Sequence, residues 1–254
     1  MKRILYILLA LVFASAPLTA KEVDANEVKA EADSAYVHEK FEQAAKLYSS
    51  IEGKESSAVI CYNLGCCYYR LDDIAKSVLW FERAYLLNPG DEDIRFNLDM
   101  VRSKTIDKIV PQHEFIFVSA FRSLVCSMNL NGWAYTGIIS FVASLLCFAV
   151  FFFSSRMVWR KGGFFAGVVL FLVSVCGNIC GSKLKEYASQ RKTGIVMSSA
   201  VTVKSVPSDN GNDLFVIHEG TKVSVTDNSM KDWCEVKVAD GKVGWIKKKC
   251  FELI

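Results

Sequence analysis

The sequence is poor in the residues and motifs that most enzymes use for chemistry. Its three histidines, His38, His113 and His218, lie in three different regions, and it has no Cys-x-x-Cys pair, no phosphate-binding glycine loop and no serine-centred elbow. These absences argue against a zinc knuckle, a thioredoxin-like redox pair, a nucleotide-binding loop and a serine hydrolase. We therefore expect a protein that is not an enzyme and that uses neither a metal nor a cofactor.

Acidic residues are nearly absent from one part of the chain. Residues 113–192 carry 8 Lys and Arg against 2 Asp and Glu, whereas residues 21–112 carry 12 against 17 and residues 193–254 carry 8 against 8. The excess of positive charge flanks the most apolar segments, where it can meet lipid phosphates, and it forms no basic groove. Nucleic acid is therefore not an expected partner, whereas membrane lipid is.

Two long runs without any charge lie in the same region, at residues 132–154 and 162–182. A helix rises about 1.5 Å per residue, so a run of about 20 residues matches the ~30 Å hydrocarbon core of a bilayer. The runs predict a transmembrane hairpin with residues 155–161 as its cytoplasmic loop. Because a hairpin returns the chain to the side that it left, the segments before and after it face the same compartment.

The two runs contain no acidic residue and no histidine, and Asn178 is their only strongly polar side chain. A transporter or proton relay usually needs more. Small residues, which let helices approach closely, recur at Gly137, Ser140 and Ser144 in the first run and at Gly163, Gly167, Ser174, Gly177 and Gly181 in the second. The spans pack either on each other or on another membrane protein, and the sequence leaves both interpretations open.

Residues 1–20 have the pattern of a secretory signal peptide. Met1-Lys2-Arg3 is followed by an apolar stretch at residues 4–14 and by small residues up to Ala20, after which we expect cleavage. An uncleaved anchor is the alternative, and it exports the following segment equally. The basic residues between the spans agree with a cytoplasmic loop, whereas those just after the second span argue the other way. The signal therefore decides the prediction, which is an inner-membrane protein with both soluble domains in the periplasm.

The exported segment at residues 21–112 repeats with a period near 34, which is typical of tetratricopeptide repeats. The residues that identify the two clearest units are Ala32, Phe41, Ala44 and Tyr48 upstream, then Leu64, Gly65, Tyr68, Phe81, Ala84 and Pro89 in a unit that begins at Ala58. A third unit is incomplete. We therefore expect an all-α solenoid whose last helix, residues 94–108, caps its end.

Such solenoids bind peptides or assemble proteins through contacts that vary freely. The side chains expected on the concave face by repeat position are Tyr62, Asn63, Cys66, Tyr69, Arg70, Phe96, Asn97 and Lys104. The amides can hydrogen-bond an extended peptide, and the basic residues can bind a carboxylate. The alternative is that Asn63 and Asn97 brace neighbouring helices.

Two short segments join the soluble domains to the spans. Residues 113–131 mix apolar side chains with Arg122 and serines, which is too polar to span a membrane and too apolar for a free linker. An amphipathic helix along the outer leaflet fits this composition, and packing against the last repeat is the alternative. Residues 183–193 are expected to be a linker.

After residue 193 the pattern changes to short alternating strands, at residues 201–203, 223–225 and 235–238, with a tight hairpin turn at Asp240-Gly241. Their order resembles a bacterial SH3-type barrel over residues 194–254. The resemblance implies peptidoglycan or peptide binding, and the candidates for a ligand groove are Phe215, Trp233 and Trp245. The alternative is that these aromatic residues fill the core of a small barrel.

The nine cysteines have no metal-binding or redox spacing. An exported protein can form disulfides, and Cys234 with Cys250 is the one pairing worth a test. Most of the others are expected to be small buried hydrophobic residues. Cys66, on the expected concave face, is the first candidate for redox sensing.

The order of the predicted parts adds a further resemblance. A signal peptide, tetratricopeptide repeats, the closing segment at residues 97–109, a membrane hairpin and a terminal SH3-type domain together resemble the BatE family of the Bacteroides aerotolerance operons. The resemblance implies other Bat-type membrane proteins with von Willebrand factor A domains as partners, together with a MoxR-type ATPase. It supplies no catalytic residue and implies a scaffold role in envelope or oxidative-stress tolerance.

We therefore predict a multidomain membrane protein with an all-α tetratricopeptide-repeat solenoid, a two-helix transmembrane hairpin and an all-β SH3-like barrel. The first functional hypothesis is a non-enzymatic scaffold whose repeats and SH3-like domain bind different partners. A peptidoglycan-binding envelope sensor is the alternative. A thiol-redox component that uses Cys66 or Cys67 is a third hypothesis.

Overall fold

The structure is a computed structural model that describes residues 22–52, 57–109, 115–189 and 193–254. The predicted signal peptide lies outside the described residues. The chain divides into two compact units, Met1–Ser56 and Ser57–Ile254. In the described part of the chain, the first unit holds two helices and the second holds six helices and a β-sheet.

The first unit is a helical pair in which α1 (Glu22–Val37) packs against α2 (Phe41–Ile51). Small residues allow the close contact, since Ala32 and Ala44 are fully buried. The Tyr48 hydroxyl donates a hydrogen bond across the pair to the carboxylate of Asp33. These helices contain the residues that the sequence assigns to the upstream repeat unit.

The second unit begins with three helices, α3 (Ala58–Arg70), α4 (Ile74–Leu87) and α5 (Glu92–Arg102). Aspartates cap two of them: Asp73 accepts from the amide at the start of α4, and Asp91 accepts from two amides at the start of α5. Such side chains satisfy helix N–H groups that have no partner within the helix.

The contact between α3 and α4 has the form that the repeat pattern predicts. Leu64, Phe81 and Ala84 are almost fully buried. Gly65 sets the distance between the helices, because a Cβ added there would lie 2.9 Å from the Phe81 ring. The Ser77 hydroxyl also donates to the Gly65 carbonyl at 2.9 Å. A larger residue at position 65 would force the two helices apart.

The last repeat helix is shorter than predicted. α5 ends at Arg102, and the following residues do not continue it. Ser103 and Thr105 turn their hydroxyls back onto carbonyls of the last helical turn, at 2.6 and 2.8 Å. Such bonds compete with the helical pattern. Residues 103–109 then leave the repeat and reach the β-sheet.

Three further helices follow, α6 (Ile116–Val125), α7 (Leu130–Phe153) and α8 (Met157–Ser189). α7 and α8 are long and apolar enough to cross a membrane. α7 begins two residues before its apolar run, and α8 extends beyond its run at both ends. The non-helical loop is therefore residues 154–156, and most of the predicted linker is helical. Lysine, glutamate and alanine follow residue 182, and these residues favour helix as strongly as apolar ones.

The small residues of the two spans pack against each other. The Ser144 hydroxyl donates to the Gly167 carbonyl at 2.8 Å, and the Ser174 hydroxyl donates to the Gly137 carbonyl at 2.9 Å. A Cβ at Gly163 would lie 2.7 Å from the Cys147 carbonyl oxygen. Of the two interpretations left open by the sequence, the structure has the one in which the spans pack on each other.

The short helix α6 is fixed to this hairpin. Trp133, near the start of α7, donates its indole N–H to the Val125 carbonyl at 3.0 Å. Both residues are buried in one cluster with Cys180 and Leu184 of α8. The opposite end of α6 exposes Phe115, Ile116 and Phe117. The helix is therefore held beside the two long apolar helices with apolar side chains uncovered.

The chain ends in a seven-stranded antiparallel sheet. Its strands are β1 (Thr193–Val196), β2 (Ala200–Lys204), β3 (Asp213–His218), β4 (Lys222–Asp227), β5 (Trp233–Val238), β6 (Val243–Lys247) and β7 (Phe251–Leu253). They lie in the order β3-β2-β6-β5-β4-β1-β7. Among the described strands, no pairing joins β3 to β7. The predicted antiparallel domain is confirmed, and closure into a barrel stays a prediction.

Strands β2, β5 and β6 bury every second side chain, as alternating strands should. Val203, Val236 and Ile246 are fully buried in its core. The predicted turn at Asp240-Gly241 joins β5 to β6, with Gly241 at φ 94°. Glycine adopts this left-handed backbone without steric cost.

Candidate functional site

The residues predicted for the concave face lie on α3, on α5 and in the turn after α5. Asn97 donates its amide to the Tyr62 hydroxyl at 3.0 Å and to the Asp93 carbonyl at 2.8 Å. The Lys104 ammonium lies 4.4 Å from the centre of the Tyr69 ring. The structure therefore brings residues of both repeat units together, and Asn97 acts as a brace between the two helices.

The remaining predicted residues differ in how much solvent they meet. Phe96 is 71% exposed, and Arg70 is also on the surface. Asn63 and Cys66 are half-buried. We call the surface formed by the eight predicted residues on α3, on α5 and in the turn after it the repeat face. Its most prominent apolar group is the exposed ring of Phe96.

A small cavity of about 120 Å³ opens at one end of the repeat face, where α3 and α5 begin. Tyr62 and the exposed Val59 line it together with Asp91 and Asp93. The cavity has room for one side chain. Its apolar wall and acidic rim suit an apolar or basic residue, and the basic residues Arg70 and Lys104 lie at the other end of the same helices.

The thiols on α3 have surroundings that disfavour the reactive thiolate. Burial raises the pKa of Cys66 despite a hydrogen bond with Tyr62. Burial, with the adjacent Cys66, also raises the pKa of Cys67 to about 12. A thiol with a raised pKa is protonated at neutral pH and reacts slowly with oxidants. Cys234 and Cys250, the pair singled out for a disulfide test, are both free thiols.

The three aromatic residues predicted for the SH3 groove do not share one face of the sheet. Phe215 pairs with the buried Val203 and packs on the core. Trp233 and Trp245 are neighbours of the buried residues Cys234 and Ile246, so they point to the opposite face. The structure therefore separates Phe215 from the two tryptophans.

The two tryptophans are half-buried on the outer face of β5 and β6. Trp233 lies opposite Lys247, whose ammonium is 5.4 Å from the Trp233 ring centre, and Trp245 lies opposite Glu235. Aromatic rings beside charged side chains can stack on sugar rings and hydrogen-bond to peptides. This outer tryptophan face is the second candidate surface.

The repeat and the sheet pack on each other, a contact that no motif or repeat in the sequence predicts. Glu82 of α4 is completely buried, with Arg102 of α5 at 2.5 Å and Lys222 of β4 at 2.7 Å from its carboxylate oxygens. Burial alone would raise the pKa of Glu82, but the two cations outweigh it and lower that pKa. The carboxylate is therefore charged and joins the repeat to the sheet.

A second carboxylate joins the same two parts. Asp107 accepts from the backbone amide of His218 at 2.7 Å and from the Thr221 hydroxyl at 2.6 Å, and it lies 2.8 Å from the His218 ring. Burial opposes its ionisation, but these hydrogen bonds outweigh burial and lower the pKa of Asp107. Asp107 belongs to the closing segment at residues 97–109 that marks the family resemblance.

The chain terminus completes this contact. Arg83 of α4 donates to the Glu252 carboxylate at 2.9 Å and to the Leu253 carbonyl at 2.8 Å. Ile195 and Ile254 are buried in one cluster with Val78 and Leu79 of α4. We call this contact, with Glu82 and Asp107, the helix–sheet junction. The one sequence signal for it is a glutamate within the apolar run of residues 78–87.

Two family models match parts of this architecture. The family model for the bacterial SH3 domain matches residues 199–252. The family model for the tetratricopeptide repeat matches residues 58–91. No curated protein matches the sequence. The two domain types suggest protein interaction and peptidoglycan binding. The repeat match covers the α3 part of the repeat face, and the SH3 match covers the outer tryptophan face.

Proposed function

We propose that the protein is a non-enzymatic, membrane-anchored scaffold of the BatE type, which holds partner proteins on the periplasmic side of the inner membrane. In this proposal the hairpin formed by α7 and α8 anchors the chain. The repeat face binds a partner segment, and the sheet acts with the repeat in one assembly for envelope or oxidative-stress tolerance. The expected partners are Bat-type membrane proteins with von Willebrand factor A domains and, through them, a MoxR-type ATPase.

The observation that carries the proposal is the helix–sheet junction. The repeat and the SH3 domain are fastened to each other through Glu82 and Asp107, and the bonds that fasten them lie on α4, at the end of α5 and in residues 103–109. Phe96 of the repeat face and the outer tryptophan face remain accessible. A rigid body with two accessible surfaces suits a scaffold that positions partners relative to each other.

The test is crosslinking in intact cells, followed by purification and identification of the partners. Phe96→Asp places a charge in the exposed apolar centre of the repeat face, and we expect recovery of the von Willebrand-type partners to fall at least about ten-fold. Val206→Asp is the matched control, because Val206 is 48% exposed on the SH3 domain. Equal recovery with both variants would contradict partner binding by the repeat face.

The outer tryptophan face favours a second function, which is binding of peptidoglycan. Purified full-length protein in neutral detergent would then sediment with isolated cell wall. We expect the Trp233→Ala, Trp245→Ala variant to stay in the supernatant, since both half-buried rings of the outer face are lost. Val216→Ala removes an exposed apolar side chain of β3 and serves as the control. Sedimentation that survives loss of both tryptophans would rule out this surface.

A further inference from the structure

The helices α3 and α5 meet along a line that runs through the middle of the repeat face. Asn97 donates to the Tyr62 hydroxyl at 3.0 Å, and the Lys104 ammonium lies 4.4 Å from the centre of the Tyr69 ring. Residues three and four apart share one side of a helix. We call this line the repeat seam; its side chains are Tyr62, Cys66 and Tyr69 on α3, Asp93, Asn97 and Met100 on α5, and Lys104 in the turn that follows.

The middle of the repeat seam carries no charge at neutral pH. Burial, with the nearby Cys66 thiol and the carboxylates of Asp93 and Asp91, raises the pKa of Tyr62 to about 12. Burial also raises the pKa of Cys66. Both groups are therefore protonated, and Met100 adds a half-buried apolar side chain that packs on the same core cluster. This middle part suits an apolar side chain of a ligand.

One end of the repeat seam is acidic. Asp93 lines the cavity of about 120 Å³ together with Tyr62 and Val59. Asp91 lines it too, but its carboxylate already accepts from two backbone amides and from the Asn88 side chain at 3.3 Å. Among the described residues, the exposed carboxylate of Asp93 has neither an ion pair nor a hydrogen bond. One negative charge is therefore available beside a cavity with room for one side chain.

The other end of the repeat seam is basic. Lys104 is exposed, and its ammonium contacts the Tyr69 ring. Within the part of the chain that the structure describes, this ammonium forms no ion pair. Asp99 of α5 does not neutralise it, because Asp99 pairs with Arg102 at 3.5 Å. The repeat seam thus has a free negative charge at its beginning and a free positive charge at its end.

The two charges are far enough apart to be reached by one extended segment. From Asp93 to Arg102 the helix rises about 14 Å, and Lys104 follows in the turn. An extended chain covers about 13 Å in four residues, and its alternate side chains face the same side. The first, third and fifth side chains of such a segment can therefore lie on the repeat seam together.

We propose that the repeat seam binds an extended segment of about five residues, with a basic side chain at one end, an apolar side chain in the middle and an acidic side chain at the other end. The basic side chain enters the cavity beside Asp93, and the acidic one pairs with Lys104. The apolar one lies on Tyr62 and Met100. Segments with two charges of one sign are disfavoured, since one of them would meet a like charge. The inference rests on the proposed function, because it specifies the partner segment that the repeat face holds.

The test is isothermal titration calorimetry on the purified full-length protein in neutral detergent. The probes are three capped peptides, acetyl-Lys-Ala-Leu-Ala-Glu-amide and the two in which both charged residues are Lys or both are Glu. The caps remove the terminal charges. We expect the mixed-charge peptide to bind roughly five-fold more tightly than either of the others, because an attractive surface pair is replaced by a repulsive one.

Charge reversal identifies the residues that set this preference. Asp93→Lys should move the preference to the peptide with two Glu, and Lys104→Glu should move it to the peptide with two Lys, each by roughly five-fold. Glu92→Lys is the matched control for the first, because this side chain is 91% exposed on the adjacent position of α5. Lys231→Glu, at an exposed position of the SH3 domain, is the control for the second. Both controls should keep the wild-type preference within about two-fold.

A variant that fails to fold would lose all three peptides and is therefore told apart from one with an altered preference. In that case Asp93→Asn and Lys104→Gln take its place, and each should remove the preference for the mixed-charge peptide.

Several results would overturn the inference. Equal affinity for the three peptides, or no saturable binding of any, would remove the site. An unchanged preference in Asp93→Lys or Lys104→Glu would show that these residues do not set it, and an equal shift in the control variants would show attraction by overall charge alone. Partner recovery from cells is a separate measurement. If Phe96→Asp loses the partners while the peptides show no preference, the scaffold proposal stands and this inference falls.

Discussion

The contact between the apolar helices α7 and α8 and the helix–sheet junction each hold two elements together, but they use opposite chemistry. Between α7 and α8 the contacts are glycine and serine, and hydroxyls such as Ser144 and Ser174 donate to backbone carbonyls. At the junction the contacts are ionised side chains, with Glu82 fully buried between two cations. In lipid, close backbone approach and satisfied polar groups hold helices together, whereas beside water charged groups can be paired at the edge of a core.

The largest expected effect is at the junction. Glu82→Ala leaves Arg102 and Lys222 without their shared carboxylate, and we expect the free energy of unfolding to fall by about 2–3 kcal/mol. The loss is at the low end for a buried ion pair because the two cations are 42% and 39% exposed and can turn to water. Chemical denaturation of the full-length protein in detergent measures it. Glu92→Gln, at a 91% exposed side chain, should change the free energy by less than about 0.5 kcal/mol.

The contact between α7 and α8 should be sensitive to the size of a substituted side chain instead of its charge. Gly163→Leu would force a side chain onto the Cys147 carbonyl, which lies 2.7 Å from the added Cβ, and we expect a cost of about 1–3 kcal/mol. Gly162 has open space on its side, so Gly162→Leu should have almost no effect. Thermal unfolding in detergent compares the two variants. Equal melting temperatures would mean that the close approach of α7 and α8 contributes nothing.

A smaller effect is expected at Asp107. In Asp107→Asn the remaining oxygen can still accept from the Thr221 hydroxyl and the His218 amide, but the charge is lost and an NH2 group replaces the oxygen that faces the His218 ring. We expect a loss of about 1–2 kcal/mol. Asp232→Asn, at an exposed position in the SH3 domain, is the matched control. Denaturation curves followed by tryptophan fluorescence measure both. If the two substitutions cost the same, the Asp107 bonds do not hold the closing segment to the sheet.

Acid should distinguish the helix–sheet junction from the contact between α7 and α8, and its effect should be the smallest of the four. The folded pKa values of Glu82 and Asp107 are lowered, so their contribution is complete above the unfolded carboxyl pKa of about 4 and is lost as pH falls through the folded values. Unfolding free energies measured from pH 7 to pH 3 should therefore decline at the low end. In Glu82→Ala the decline should be shallower. A wild-type curve that stays flat down to pH 3 would refute the coupling.

The sequence predicts the features that depend on residues close together in the chain. The 34-residue period places Leu64, Gly65 and Phe81 correctly, the alternating strands locate the sheet, and the Asp240-Gly241 turn falls between two strands as expected. The apolar runs locate the two long helices, although their ends differ because helix formation continues into polar residues. These features depend on neighbours in the chain.

The junction could not be predicted in the same way. Glu82 and Lys222 are 140 residues apart, and Asp107 meets Thr221 across a similar gap, so neither pairing leaves a periodic signal. The separation of Phe215 from Trp233 and Trp245 also depends on strand register, which alternation alone does not set. Of the two roles that the sequence leaves open for Asn97, the structure has the brace, because its partner Tyr62 lies on α3.

The length of α8 has a consequence for how far partners must reach. It runs unbroken for 33 residues, from Met157 to Ser189, which is about 50 Å at the helical rise, whereas the hydrocarbon core takes up only about 30 Å. In a bilayer, residues 183–189 at the end of α8, about 10 Å of helix, would lie beyond the apolar run and set the distance between the membrane and the sheet. A partner whose binding segment cannot reach that distance from the membrane would be excluded, however well its chemistry matched.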